Sequence, residues 1–158
     1  MGKQPESFYW DEHWNKTREG STKIVLEWDG GRSEGILFDK GVPKSVSGII
    51  DLLPVTIPVI HVAWSGEMIM STRAYDFGFK DKENETRLPR TGDISWDPFF
   101  GEIAFTYGTA ECKMQSGYNT IVICGQLKTA LDEFAAFARS RRFEGIGEVR
   151  LSLAGQTS

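Results

Sequence analysis

Apolar and polar residues alternate along most of this chain, which is the pattern of strands that bury one face. Near the start, Ile24, Leu26 and Trp28 alternate with Lys23 and Glu27. Other segments show the same alternation or a short unbroken apolar run. The predicted strands are residues 23–28, 35–38, 59–64, 67–71, 92–96, 102–108, 120–124 and 148–153. A chain with this many short strands is predicted to be mainly β.

Two segments carry the apolar spacing of amphipathic helices instead. The apolar positions of the first are Val46, Ile49, Ile50 and Leu53. Pro43 suits the first turn of this helix, and Pro54 ends it. The apolar positions of the second are Leu131, Phe134, Ala135 and Ala138. Thr129, followed by Asp132 and Glu133, predicts a capped start with carboxylates in the first turn.

The predicted order of elements is β-β-α-β-β-β-β-β-α-β. With eight strands and only two helices, the economical architecture is a closed eight-stranded β-barrel capped by two α-helices, since closure removes exposed strand edges. Two long loops interrupt the pattern, at residues 72–91 and 109–119. The first is rich in charge, and loops of that length are usually functional or disordered.

The length of 158 residues predicts one domain with a substantial core. We expect an N-terminal arm at residues 1–20, a barrel at residues 21–154 and a short tail at residues 155–158. The arm lacks a strand or helix period but holds four aromatic residues: Phe8, Tyr9, Trp10 and Trp14. So aromatic a segment is expected to pack on the barrel or on a partner subunit, which makes a homo-oligomer one expectation.

The net charge of −4 argues against nucleic acid or a membrane surface as partner, because both need clustered cations. No run reaches the roughly 20 apolar residues of a membrane span, and no secretory signal is visible. A cytoplasmic location with reduced cysteines is therefore expected. Cys112 is interpreted as a structural thiol. The two cysteines and two histidines show no metal spacing, so neither a metal nor a cofactor is expected.

The candidate chemistry gathers around the predicted hairpin at residues 61–70. Its turn lies between Trp64 and Glu67, which would place an indole and a carboxylate at one end of an apolar hairpin. Such a pair is either a ligand site or the polar rim of a barrel. The indole could stack on a ligand and the carboxylate could bind its cationic or hydrogen-bonding group. The predicted ligand-binding residues are Trp64, Glu67, Arg73, Tyr75 and Tyr107.

Several segments resemble the cyclophilin-like barrel, in order and in residues. These segments are Asp39–Ser45, Asp81–Asn84 followed by Thr91–Ser95, and Ile121–Gly125. The chain is more closely similar to a bacterial family of cyclophilin-like domains of unknown function. The motifs shared with that family are His61–Glu67, Glu83–Thr86, Pro89–Gly92 and Glu102–Gly108. The resemblance covers about residues 21–154 and implies the same barrel.

The resemblance also implies what the chain lacks. In cyclophilins an arginine polarises the prolyl amide, and here Val62 stands at that position. Glu67 replaces the phenylalanine of the proline pocket, Met70 replaces a glutamine, and the later histidine falls near Ile121. A valine side chain cannot donate a hydrogen bond to a twisting amide, and electrostatic stabilisation is usually the largest catalytic contribution. Efficient prolyl isomerase activity is therefore not expected.

Three functions stay open at this stage. The first is a binding module that takes a small metabolite or a short peptide at the mouth of the barrel. The second is an enzyme, either a residual prolyl isomerase in which Arg73 reaches inward or a catabolic enzyme acting on a small polar substrate. The third is an assembly role for the N-terminal arm. No phosphate loop, dinucleotide fingerprint or catalytic triad motif favours a particular reaction.

Overall fold

The computed structural model describes residues 17–156, in which strands dominate. The long strands are β1 (Thr22–Trp28), β2 (Gly31–Leu37), β3 (Val55–His61), β4 (Gly66–Ser71), β6 (Asp93–Trp96), β7 (Ile103–Ala110), β10 (Ile121–Leu127) and β11 (Gly147–Leu153). The two-residue strands are β5 (Glu85–Thr86), β8 (Lys113–Met114) and β9 (Gly117–Tyr118). The helices are α1 (Pro43–Leu52) and α2 (Leu131–Glu144). The aromatic residues predicted to anchor the arm, Phe8 to Trp14, lie outside the described residues.

Eight antiparallel strands close into a barrel, in the order β2-β1-β11-β3-β4-β7-β6-β10, and β10 pairs back onto β2. The predicted fold class, mainly β with a closed eight-stranded barrel and two helices, is confirmed. Glycines let the backbones meet at the closing pair. A Cβ atom at Gly35 would lie 2.3 Å from the carbonyl oxygen of Gln126, and one at Gly125 would lie 2.4 Å from that of Ile36. A larger residue at either position would push β2 and β10 apart.

The interior of the barrel is filled by the alternating apolar residues of the strands and by apolar residues of both helices. From α2, the ring of Phe134 packs edge-on against Trp28 at 5.4 Å and against Phe105 at 6.2 Å between centroids. From α1, Val46 and Ile49 are fully buried. The helices therefore take the positions that their predicted apolar stripes require.

The predicted cap of α2 is wrong. The helix begins after Ala130, which has a left-handed backbone (φ 51°), and no side chain caps it. The Thr129 hydroxyl instead accepts a hydrogen bond from the backbone N–H of Glu34, at 2.9 Å. Thr129 thus satisfies a backbone group beside β2, where the pairing with β10 ends. The predicted acidic first turn, Asp132 and Glu133, is present.

Strand β3 begins and ends earlier than predicted. It starts at Val55, immediately after Pro54, and ends at His61 instead of Trp64. Pro58 stands opposite Glu148 of β11, whereas the pairing of β3 with β4 begins only at Val59. The carbonyl oxygen of Pro58 accepts the backbone N–H of Thr72, so the missing N–H faces the β4 side, beyond the end of that ladder, where a strand tolerates proline.

The charged loop at residues 72–91 is held against the barrel. The Glu83 carboxylate accepts hydrogen bonds from the backbone N–H groups of Lys44 (3.2 Å) and Ser45 (2.7 Å). It thus satisfies the first turn of α1 from outside the helix. Phe77 packs on the ring of Trp96 at 4.3 Å between centroids. This loop is therefore an ordered cover for one end of the barrel.

The first described residues also contact the barrel. The guanidinium of Arg18 donates two hydrogen bonds to the carboxylate of Asp93, at 2.9 and 2.6 Å. Asp93 is fully buried and also accepts the backbone N–H of Arg90. A paired geometry of this kind is what a buried carboxylate requires.

Candidate ligand-binding cavity

The two faces of the β4–β7 pair lead to different parts of the molecule. Met70 stands opposite Ala104, and Ile69 stands opposite Phe105. Phe105 contacts Phe134 of α2 and therefore points into the barrel. Because side chains alternate along a strand, Ile69 also points inward, while Met70 and Ala104 point outward.

A cavity of about 390 Å³ lies on this outer face, beneath the segment that carries β8 and β9. Its apolar lining includes Val62, Trp64, Met68, Met70, Phe100, Ala104 and Ile121. Trp64 and Phe100 each expose 47% of their surface, although both are large and apolar. Concave sites of this size, mostly apolar with a few polar groups, are typical of small-ligand pockets.

Ser65 anchors the segment around β8, which forms the wall of the cavity opposite the β4–β7 floor. Its carbonyl oxygen accepts the backbone N–H of Glu111 at 2.9 Å, and its hydroxyl accepts that of Lys113 at 3.2 Å. The next residue, Gly66, adopts φ +103°, which a side chain would strain. The turn after β3 thus fixes the position of β8 relative to the floor of the cavity.

Polar groups from three segments line the cavity. Asp97 is buried, and its carboxylate accepts the backbone N–H of Phe99 and the side-chain amide of Asn119, each at 2.8 Å. The backbone N–H of Asp97 donates to the carbonyl oxygen of Glu102 at 3.0 Å, so the two acidic residues are neighbours. Lys113 contributes a half-exposed ammonium group, 3.6 Å from the carboxylate of Glu111.

The carboxyl group of Glu102 is the unusual member of this set. It lies on the same outward face of β7 as Ala104 and is half-buried. Within residues 17–156, no other residue forms a hydrogen bond or an ion pair with it, and its one donor is its own backbone N–H. Burial, and then the negative charge of Asp97, raise its pKa above the usual value for glutamate, and that N–H opposes the shift. Glu102 is thus a half-buried acid that no other described residue satisfies.

Cys112 lines the same cavity but is not a reactive thiol. It is 3% exposed, and burial raises its pKa to about 12, with Asp97 adding to the shift. A thiol of that pKa stays protonated near neutral pH and is a poor nucleophile. Across residues 17–156, no group of three or more histidine, cysteine or acidic side chains is placed to hold a metal ion.

A second polar cluster lies on the other face, beneath α2. The Tyr107 hydroxyl and Nε2 of His61 are 2.7 Å apart, and Nδ1 of His61 lies 2.7 Å from the carbonyl oxygen of Val62. That carbonyl can only accept, so Nδ1 carries the proton and Nε2 accepts from the tyrosine. Glu67 accepts the backbone N–H of Thr109 at 3.0 Å and pairs with Arg139 of α2 at 3.4 Å.

The pKa shifts of this cluster follow from its contacts. Burial lowers the pKa of His61, which favours the neutral ring. Burial, and then the charge of Glu67, raise the pKa of Tyr107. The N–H of Thr109 holds the pKa of Glu67 below its usual value. Each of these three side chains therefore has its partner within the protein.

The structure does not bring the five sequence-predicted ligand residues together. Trp64 lines the cavity, whereas Glu67 and Tyr107 lie on the α2 side of the same strands. Arg73 is exposed on the following loop. Tyr75 is half-buried, and its carbonyl oxygen accepts the indole N–H of Trp96. A ligand-binding role for the set stays a prediction.

Sequence reasoning missed Asp97, Phe100 and Glu102. The sequence predicts a strand at residues 102–108 and a loop at residues 109–119, and neither prediction points to a site. The alternation along that strand holds a signal for Glu102, because a strand with Ile103 and Phe105 on its inner face has Glu102 on its outer face.

The positions aligned with cyclophilin lie mostly in the cavity. Val62, at the arginine position, is in its wall, together with Met70 and Ile121. Glu67 is not, and Met68, one residue later, lines the cavity in its place. Of the described residues that line the cavity, none is an arginine.

Comparisons with known proteins agree with this fold. A family model described as a protein of unknown function (DUF3830) matches residues 24–153. The chain belongs to this family. No curated protein matches the sequence. The expected bacterial origin stays a prediction.

Two solved structures are similar to this one. The first is McbB in complex with tryptophan, with a TM-score of 0.65 and 18% identity, matched over 85% of this chain and 46% of McbB. This chain therefore spans about half the length of McbB. The second is a hypothetical protein, AF2241 from Archaeoglobus fulgidus, with a TM-score of 0.56 and 13% identity, matched over 85% of this chain and 96% of that one. Both are cyclophilin-like barrels.

Neither helix within the described part of the chain is both long enough and apolar enough to cross a bilayer.

Proposed function

We propose that this protein is a binding module that takes a small metabolite or a short peptide in the cavity on the outer face of β4 and β7. The observation that carries the proposal is the cavity itself, about 390 Å³ with an apolar floor and a few polar lining groups. The floor would hold an apolar body by burial, and the polar groups would fix its orientation.

The two half-exposed aromatic side chains, Trp64 and Phe100, favour a ligand with a flat body. Leaving such large apolar surfaces in water is unfavourable unless a ligand covers them. An indole compound is a reasonable first probe, because McbB, which has a similar fold, was solved with tryptophan.

Prolyl isomerisation is the alternative that the same cavity disfavours. Val62 occupies the arginine position, and Arg73 is not among the residues that line the cavity. Without a fixed cation, nothing in the apolar wall can stabilise the twisted amide. We expect a proline-peptide isomerisation assay to show the uncatalysed rate. A rate well above background would reject this part of the proposal.

Thermal denaturation of the full chain, with and without a panel of small metabolites, indole compounds and short peptides, tests the binding function. A ligand that binds only the folded state stabilises it by RT ln(1 + [L]/Kd), about 2.7 kcal/mol at 100 times Kd. We expect at least one member to raise the unfolding midpoint.

The variant Ala104→Leu adds bulk to the floor of the cavity and should abolish that rise. Ala136→Leu makes the same change on the exposed surface of α2 and should leave the rise intact. The proposal fails if no compound in the panel raises the midpoint, or if the rise is the same in Ala104→Leu.

A further inference from the structure

The carboxyl group of Glu102 differs from its acidic neighbour in what the protein offers it. Both oxygens of Asp97 accept hydrogen bonds, from the backbone of Phe99 and from the amide of Asn119. The carboxyl of Glu102 receives none from any other residue within 17–156. Asp97 therefore has a structural task, namely to hold the turn after β6 and to tie it to Asn119.

A half-buried carboxyl without a partner is costly. It has lost part of its hydration and gained no hydrogen bond from another residue in return. The raised pKa of Glu102 agrees with this. A donor brought by a ligand would remove the penalty, and a positively charged donor would do so most effectively.

The charges around the cavity favour a cation. Its titratable lining residues are Asp97, Glu102, Cys112 and Lys113. Cys112 is neutral, and the ammonium of Lys113 is half-exposed beside the Glu111 carboxylate. Two further ammonium groups lie outside the lining: that of Lys80 donates to the carbonyl oxygen of Pro98, and that of Lys82 donates to the hydroxyl of Thr120, each at 3.2 Å. Among the described lining residues, two carboxylates face one ammonium group, and the low dielectric of the apolar wall strengthens their effect.

The two half-exposed aromatic side chains at the cavity support the same ligand class. Trp64 and Phe100 present rings at the same cavity, and ring faces attract both cations and flat apolar groups. Resting on the binding function proposed above, we infer that the ligand is a protonated amine carried on a flat apolar body, with Glu102 as its counter-ion.

Three probes of similar shape test the charge directly: tryptamine, which is a cation, 3-methylindole, which is neutral, and indole-3-propionate, which is an anion. Isothermal titration of the full chain should find tryptamine bound at least about tenfold tighter than 3-methylindole, a difference of about 1.4 kcal/mol. Indole-3-propionate should bind most weakly, because it would face two carboxylates.

Substitution then assigns the preference to one residue. Glu102→Gln should reduce the tryptamine preference to about twofold or less. Glu133→Gln, the same change on the exposed surface of α2, should keep it. If Glu102→Gln does not fold, the pH dependence of probe binding to the wild type tests the same point. Tryptamine affinity should fall on acidification as Glu102 takes a proton, while 3-methylindole affinity should stay level, which shows that the loss comes from charge and not from a change in the shape of the cavity.

The outcomes separate the two proposals. If none of the indole probes nor any panel member binds, the binding function itself is rejected. If the neutral or anionic probe binds as tightly as tryptamine, the cavity remains a site but the cationic ligand class is rejected. If Glu102→Gln binds tryptamine with its preference intact, Glu102 is not the counter-ion.

Discussion

The β4–β7 pair has two faces, and the protein treats their polar groups in opposite ways. On the face beneath α2, the His61 ring, the Tyr107 hydroxyl and the Glu67 carboxylate all have partners within the chain. On the outer face, beside the ends of these strands, Trp64 is half-exposed and the carboxyl of Glu102 has no hydrogen-bond partner in another described residue. The polar groups beneath α2 are therefore satisfied, and the carboxyl at the outer cavity is not.

This difference helps to separate structural from functional polar residues. A polar group that the fold satisfies has a sufficient explanation in stability. A half-buried group that the fold leaves unsatisfied costs stability, and proteins accept such costs mainly at functional sites. By that criterion Glu102 is a better functional candidate than Glu67, although the sequence pointed to Glu67.

The largest expected difference between the faces is in apolar packing. Ile69 points inward and is fully buried, so Ile69→Ala should lower the free energy of unfolding by about 2–5 kcal/mol. Met70 points outward into the cavity wall and is half-buried. Met70→Ala should cost about 1 kcal/mol or less, since part of its surface already meets open space.

Urea denaturation of both variants measures this. Met70→Ala should reduce the favourable free energy of ligand binding by more than it lowers the free energy of unfolding. Equal losses of stability in the two variants would show that the outer face is as tightly packed as the core, and would remove the argument for a cavity.

A smaller effect is expected in the polar cluster beneath α2. Tyr107→Phe removes the donor to Nε2 of His61 and leaves a half-buried acceptor without its partner. The expected loss is about 1 kcal/mol. Ligand binding in the cavity should be unchanged, because Tyr107 is on the opposite face. A Tyr107→Phe protein of full stability would mean that the His61–Tyr107 contact contributes nothing.

The pH dependence of the wild type reports on the same histidine. The pKa of His61 is lowered in the folded state, so the unfolded chain takes up the proton first on acidification. The contribution of His61 is thus fully present above about pH 6.5, the unperturbed value, and is lost as the pH falls toward the folded pKa. His61→Gln should remove this part of the pH profile.

The fold was predictable because its signals are local. Alternation along β7 placed Ile103 and Phe105 inward, and the apolar stripe of α2 placed Phe134 in the core, as the structure has them. Closure of the sheet into a barrel was predictable from the number of strands, because a closed sheet has no exposed edge strands. Thr129 shows the limit, because its hydroxyl had two backbone groups within reach and only the fold decides between them.

The site was less predictable because it depends on which face each residue takes. Trp64 and Glu67 are three residues apart, and a turn of unknown geometry between them hides their relative orientation. Gly66, at φ +103°, and the irregular pairing beside it turn Glu67 toward α2. The other wall of the cavity comes from residues 110–121, whose distance along the chain leaves no pattern that links them to Trp64.

The smallest effects, and the sharpest comparison, come from the two glutamates. Glu67→Gln weakens an exposed ion pair with Arg139 and should cost less than about 1 kcal/mol at neutral pH. Glu102→Gln breaks no contact within the described chain and removes a like charge from beside Asp97. It should leave stability unchanged or raise it by a few tenths of a kcal/mol, by about the amount typical of surface substitutions.

Acidification should remove the difference in stability between the wild type and each variant. The two differences have opposite signs at neutral pH. The lowered pKa of Glu67 means that its stabilising charge is present above the usual glutamate pKa of about 4.3 and is lost as the pH falls. The raised pKa of Glu102 means that its charge is a full penalty above the folded pKa, and the penalty falls with the pH and disappears below the usual glutamate pKa of about 4.3. Urea denaturation of both variants at neutral and acidic pH measures the four values. If Glu102→Gln instead destabilises the protein as Glu67→Gln does, the carboxyl of Glu102 has a structural partner, and the contrast between the two faces no longer holds.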